Sequence, residues 1–185
     1  MNAKNVVYAG LLVSCGMILP QIFHIFGGPG LGAVLLPMHI PVLIAGFILN
    51  PVTALIVGLV TPICSFLYTG GSMPAVPMLY FMILELGFYG LTVSLLFKKF
   101  KLNIFVSLIG GMVVGRVARG IAFVCATKLF GIVLPPAFGI SVAMVQGMPG
   151  ILIQIIVIPP IVVFMRKMGW MIDEQRRTKE ISQGL

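Results

Sequence analysis

VPMLYFMILELGFYGLTVSLLF, residues 76–97, carries one charged side chain, Glu85, in twenty-two positions. An α-helix rises about 1.5 Å per residue, so roughly 20 apolar residues cross a hydrocarbon core about 30 Å thick. The stretch therefore predicts a membrane-spanning helix. A second stretch, IFVSLIGGMVVGRVARGIAFVCA at 104–126, reads the same way and holds Arg116 and Arg119. A bilayer penalises such residues by a few kcal/mol at least, so they face a bundle interior or a cavity and mark a functional site. The alternative is a Glu–Arg pair that only locks two helices together.

Composition extends this reading to the whole chain. Of 185 residues, 59% are hydrophobic and 9% charged, with a mean hydropathy of +1.16. A water-soluble domain of this size has too little interior to hide so much apolar surface. The 22 Gly and 13 Pro suit transmembrane helices. The apolar runs are continuous and not alternating, which favours helices over a β-barrel. The expected fold class is thus an all-α membrane protein. Cys15, Cys64 and Cys125 fall inside expected spans without CxxC or Cys/His spacing, so neither metal nor redox chemistry is expected. The first apolar run is too long for a cleavable signal peptide and lacks a small-residue cleavage site.

Six spans fit, near residues 5–26, 37–49, 52–68, 77–97, 103–128 and 141–165. They form one domain over 1–168, followed by a polar tail at 169–185 read as cytoplasmic. The second span is short and follows the Gly-rich GGPGLGAVLLP; Pro37 and Pro41 suit a first helical turn. Asn50-Pro51 makes a tight break. TGGSMPAVP, KKFK and FGIVLPPAFG separate the later spans. The net charge of +8 does not imply nucleic acid: nine of the twelve Lys and Arg are Lys4, Lys98, Lys99, Lys101 and the run from Arg166 to Lys179. All fall on one side of the six-span arrangement, so the positive-inside rule puts both termini in the cytoplasm, beside anionic lipid. No internal repeat supports an inverted-repeat transporter.

Depth brings the polar residues together. Glu85 lies about 12 Å below the outer end of the fourth span, and Arg116 about 20 Å up from the cytoplasm, with Arg119 one turn further out. Gln146 is about 8 Å into the sixth span, and His39 is at the outer end of the second. An outward-facing pocket needs this convergence. Arg116 and Arg119 share a helix face, while Phe81, Glu85 and Tyr89 form a stripe that fits either helix packing or ligand contact. Pro149-Gly150 is expected to open the sixth helix locally. His39 could be a capping or interfacial residue instead of a ligand contact.

There is no GxxxxGK[ST] phosphate loop, so the chain does not hydrolyse ATP by that mechanism; GxSxG and HExxH are absent too, and no enzyme activity is expected. In the first span Gly10 and Ser14 form a small-xxx-small pair, which allows close approach of another helix, from within the protein or from a partner.

YAGLLVSCGMILP, LLPMHIPVLIAGFILNP and MILELGFYGLTVSLLFKKFKLNIFVSLIGGMVVGR together resemble the substrate-binding S-component of energy-coupling factor (ECF) vitamin transporters, over residues 6 to about 165. The second string is similar to the family's second-helix signature, with Asn50-Pro51 where Gly-Pro is usual. Gly10 and Ser14 fall where an Ala-xxx-Ala motif meets the coupling protein. The resemblance implies a capture subunit in a bacterial plasma membrane. It would work with a transmembrane coupling protein and two cytoplasmic ATPase subunits, without a cofactor of its own. Family ligand residues map onto Glu85, Arg116, Arg119 and Gln146; His39 and Tyr89 complete the expected site. An arginine suits a carboxylate ligand, and Glu85 a protonated ring nitrogen or amine. The string around His39 looks most like members assigned to niacin uptake, so niacin is the first candidate. Pyridoxine, hydroxymethylpyrimidine, riboflavin and queuosine-type precursors remain open. The competing class is a stand-alone facilitator or secondary transporter for a small polar solute.

Overall fold

A computed structural model of the chain describes residues 3–129, 131–132 and 140–171. The expectations for most of the polar tail and of FGIVLPPAFG lie outside the described residues. Every regular element among those described is helical: α1 (Ala3–Leu35), α2 (His39–Ile48), α3 (Pro51–Tyr68), α4 (Met78–Ser94, prolonged by a wide turn to Lys99), α5 (Ile104–Val124, prolonged likewise to Leu129) and α6 (Ile140–Lys167). Five are long and apolar enough to cross a membrane: Ala3–Gly28, Pro51–Tyr68, Met78–Lys99, Ile104–Leu129 and Val145–Lys167. Their outer faces expose large apolar side chains such as Leu11, Val113, Ile121 and Ile156, as a surface solvated by lipid requires.

The expected second span takes a different form. α2 has ten residues and so covers about 15 Å, half a bilayer core. All of it except Ile40 is buried. A helix apolar on every side belongs in the middle of a bundle, and α2 packs against α1, α3, α4 and α6. Its last carbonyls are satisfied from α4: Ser94 Oγ donates to Leu49 O and Lys98 Nζ to Ile48 O, both at 2.8 Å. Asn50 then caps α3 through its Oδ1, which accepts from Thr53 N at 2.8 Å. The tight break at Asn50-Pro51 is thus a capped turn.

α4 lies between α3 and α5 because glycines remove side chains from both seams. A Cβ on Gly90 would overlap Ala54 O of α3, and one on Gly111 would overlap Val93 of α4. Such close backbone approach is how membrane helices pack without a hydrophobic driving force between them. It also places Glu85, at 0% exposure, in the centre of the bundle.

Two backbone positions shape the end where α1 turns into α2. Gly28 has φ 68° and ψ −177°, a conformation open only to glycine, and kinks α1 there. Leu36 has φ 51° and is held by Gln154 of α6, whose Nε2 donates to Leu36 O at 3.3 Å. The sixth helix does not open at Pro149-Gly150: α6 is continuous from Ile140 to Lys167. Gly150 gives room for the connection instead, since a Cβ there would lie 2.6 Å from Val34 O.

Candidate substrate-binding site

Glu85 gathers polar residues from three helices, α2, α4 and α5. Tyr89, one turn along α4, donates its hydroxyl to Glu85 Oε1 at 3.0 Å. From α5, Arg119 Nη1 donates to Oε2 at 3.1 Å and Arg116 Nε lies 3.1 Å from Oε1. From α2, His39 Nε2 sits 3.8 Å from Oε1, beyond hydrogen-bond reach, and its ring lies 5.4 Å from that of Tyr89. The three-residue spacing of the arginines puts both on one face of α5, so one carboxylate meets both. The expected stripe on α4 divides: Tyr89 joins this cluster, whereas Phe81 packs on Phe123 at 6.1 Å.

Beside the cluster is a cavity of about 470 Å³, within the range of small-molecule sites. Arg116, Arg119, His39 and Gln146 line it. Glu85 and Tyr89 do not; they stand behind the arginines. Arg119 Nη2 reaches Met78 Sδ at 3.5 Å on the cavity wall, and Gly147 leaves space for Arg116, where a Cβ would come within 2.7 Å of Nη2. Neither ring nitrogen of His39, which is 2% exposed, has a hydrogen-bond partner in the protein. A buried polar group without such a partner is costly, which makes it a natural point of contact for something in the cavity.

The remaining wall was not anticipated. His24 of α1 lines the cavity, so both histidines of the chain meet there. Met38, Met73, Met78 and Met82 supply an adaptable apolar surface, with Pro20, Leu36, Pro37 and the Ser72–Ala75 connection. His24 had a readable signal, an ionisable residue within the first apolar run. The methionines had none, since they come from three separate places, the start of α2, the α3–α4 connection and α4. Among the described residues no group of three or more His, Cys, Asp or Glu could hold a metal ion.

The cavity occupies one end of the bundle, made from the C-terminal part of α1, the start of α2, the α3–α4 connection, the start of α4, the second half of α5 and the first part of α6. Lys98, Lys99, Lys101 and Arg166 lie at the other end. The described residues thus form a bundle of apolar helices with a polar cluster beside a ligand-sized cavity. The chain belongs to the ECF transporter, substrate-specific component family, whose model matches residues 4–162. It is therefore a substrate-binding subunit of a membrane transporter, from a family of transport proteins and not of enzymes, associated with an energy-coupling module. No curated protein and no solved structure matches it.

Proposed function

We propose that this chain is the capture subunit of an ECF importer in a bacterial plasma membrane, binding a small water-soluble vitamin or precursor from outside. A transmembrane coupling protein and two cytoplasmic ATPases would drive its delivery inward. In this reading α2 serves as a sixth, short membrane helix, both termini are cytoplasmic, and the cavity opens outward. The supporting observation is that the cavity lies at the bundle end opposite Lys98, Lys99, Lys101 and Arg166, which the positive-inside rule assigns to the cytoplasm. Arg116, Arg119, His39 and Gln146 would contact the substrate, with Glu85 and Tyr89 holding the arginines. Niacin is the first candidate, on the resemblance of the string around His39 and the fit of an arginine to a carboxylate.

Sealed vesicles carrying only this chain, then vesicles carrying the chain with its coupling protein and ATPases, test the reading with radiolabelled nicotinate. The chain alone should bind without accumulating, and ATP inside the vesicles of the full assembly should drive concentrative uptake. Accumulation by the chain alone, sustained by an ion gradient, would establish a secondary transporter instead.

A further inference from the structure

The charges at the cavity do not cancel. Arg116 and Arg119 are permanently protonated, and Glu85, paired with both, supplies one negative charge. The chain has four acidic residues in all; the other three, Asp173, Glu174 and Glu180, follow Lys167, the end of α6 and of the last span. Among the described residues Glu85 is the one acidic side chain, so within them the cluster carries a net charge of +1. An uncompensated charge at this depth costs several kcal/mol. The cavity wall at Pro37–His39 is also the start of α2, whose helix dipole presents its positive end there.

We infer that the ligand of this cavity is a small organic monoanion, a monocarboxylate with an apolar or aromatic body, whose carboxylate bridges Arg116 and Arg119. This rests on reading the cavity as the substrate site. A single charge balances the cluster, whereas a phosphate ester, with its charge of about −1.5 to −2 at neutral pH, overshoots it. A cation or a neutral polar compound leaves the excess in place. A lone chloride would balance the charge but leave most of the 470 Å³ unfilled. The methionines at 38, 73, 78 and 82 describe the rest of the ligand: they match a flat or flexible apolar body and offer it no strong hydrogen-bonding group. The inference separates carboxylate vitamins from thiamin-like cations and from neutral compounds such as riboflavin or pyridoxine.

Titration calorimetry on the purified full chain in nanodiscs tests it with matched pairs: nicotinate against nicotinamide, pantothenate against pantothenol, biotin against its amide. Thiamin, pyridoxine and inorganic phosphate serve as charge controls. At least one carboxylate should bind ten- to a hundredfold more tightly than its uncharged partner, the worth of a charge-assisted hydrogen bond. In R116Q or R119Q the ratio within that pair should fall towards one. A ratio is insensitive to the fraction of protein that is folded, and a merely structural arginine would weaken both partners equally and leave it unchanged. Equal binding within every pair, preference for a control, or failure of every carboxylate to bind overturns the inference. A protein that captures a neutral vitamin and still needs its ATPases would sink the charge argument alone; one that binds a carboxylate yet accumulates it unaided would sink the capture reading alone.

Discussion

Gly115 of α5 meets the ring of Tyr89 in α4 with no room for a side chain between them. A Cβ on Gly115 would overlap Tyr89 Cδ1 and lie 2.8 Å from Glu85 O. The hydroxyl of that same tyrosine bonds Glu85 Oε1. Gly115 is also the residue before Arg116. The α4–α5 spacing and the grip of Glu85 on the arginines therefore depend on the same missing methyl group.

Gly115→Ala should push α4 and α5 apart. Overpacking of this kind costs about 1–3 kcal/mol, so the thermal midpoint should drop and substrate affinity should fall with it. Gly10→Ala is the control, because a Cβ there meets nothing within 4 Å. Thermal unfolding of both variants in one detergent checks this. Equal midpoints for Gly115→Ala and wild type would mean that the seam is looser than the structure makes it.

Arg116→Ala and Arg119→Ala should each weaken binding of the identified substrate by about ten- to a hundredfold. Lysine at either position should restore only part of the loss, since a point charge cannot reproduce a planar fork that holds Glu85 on one side and a ligand on the other. Glu85→Gln should weaken binding indirectly: Glu85 lines no part of the cavity, yet it orients both guanidiniums. Ligand titration of the three folded proteins decides the matter. Wild-type affinity in all three would make the trio a structural lock and put the pocket elsewhere.

Much of this site was legible because charge is so rare in the spans. Three ionisable residues in two apolar runs, placed by rise per residue, fall in the same half of the spans, and in the structure they form one cluster. The small-residue spacing of Gly10 and Ser14 was equally plain. What the sequence withheld depends on backbone geometry set from a distance. The turn at Leu36 is held by Gln154, 118 residues away, and Gly147 and Gly150 of α6 make space for Arg116 and for the α1–α2 connection. These contacts bring Met38 to the cavity wall, and no local pattern encodes them. Pro149 looked like a helix break, but α6 runs through it. Burial on all sides, visible only once the bundle is assembled, explains why α2 can be ten residues long.

Orientation is open to chemical labelling. In a background with Cys15, Cys64 and Cys125 replaced, Ser72→Cys should react with an impermeant maleimide added to whole cells, because Ser72 lies at the cavity end. Lys99→Cys, at the lysine-rich end, should react only after the membrane is opened. The reverse pattern would invert the topology and point the cavity at the cytoplasm.

The last expectation concerns the first helix. Gly10 and Ser14 are both exposed, and the serine hydroxyl donates back to Gly10 O at 2.9 Å. Its one strong polar group is thus satisfied within α1, and the face around Gly10 is a shallow groove with space above it. Val7 and Leu11 beside it are 59% and 58% exposed, so nothing among the described residues covers that face. Lipid could solvate it, but a helix of the coupling protein would pack more closely there than against large side chains, and membrane helices associate mainly through such packing. Gly10→Leu with Ser14→Leu should therefore reduce co-purification with the coupling protein and abolish most uptake. Substrate binding by the isolated subunit should stay close to wild type, because neither residue lines the cavity. The comparison of binding with assembly separates a lost docking face from a misfolded protein. Normal co-purification of the double variant would mean that the coupling protein docks on another face.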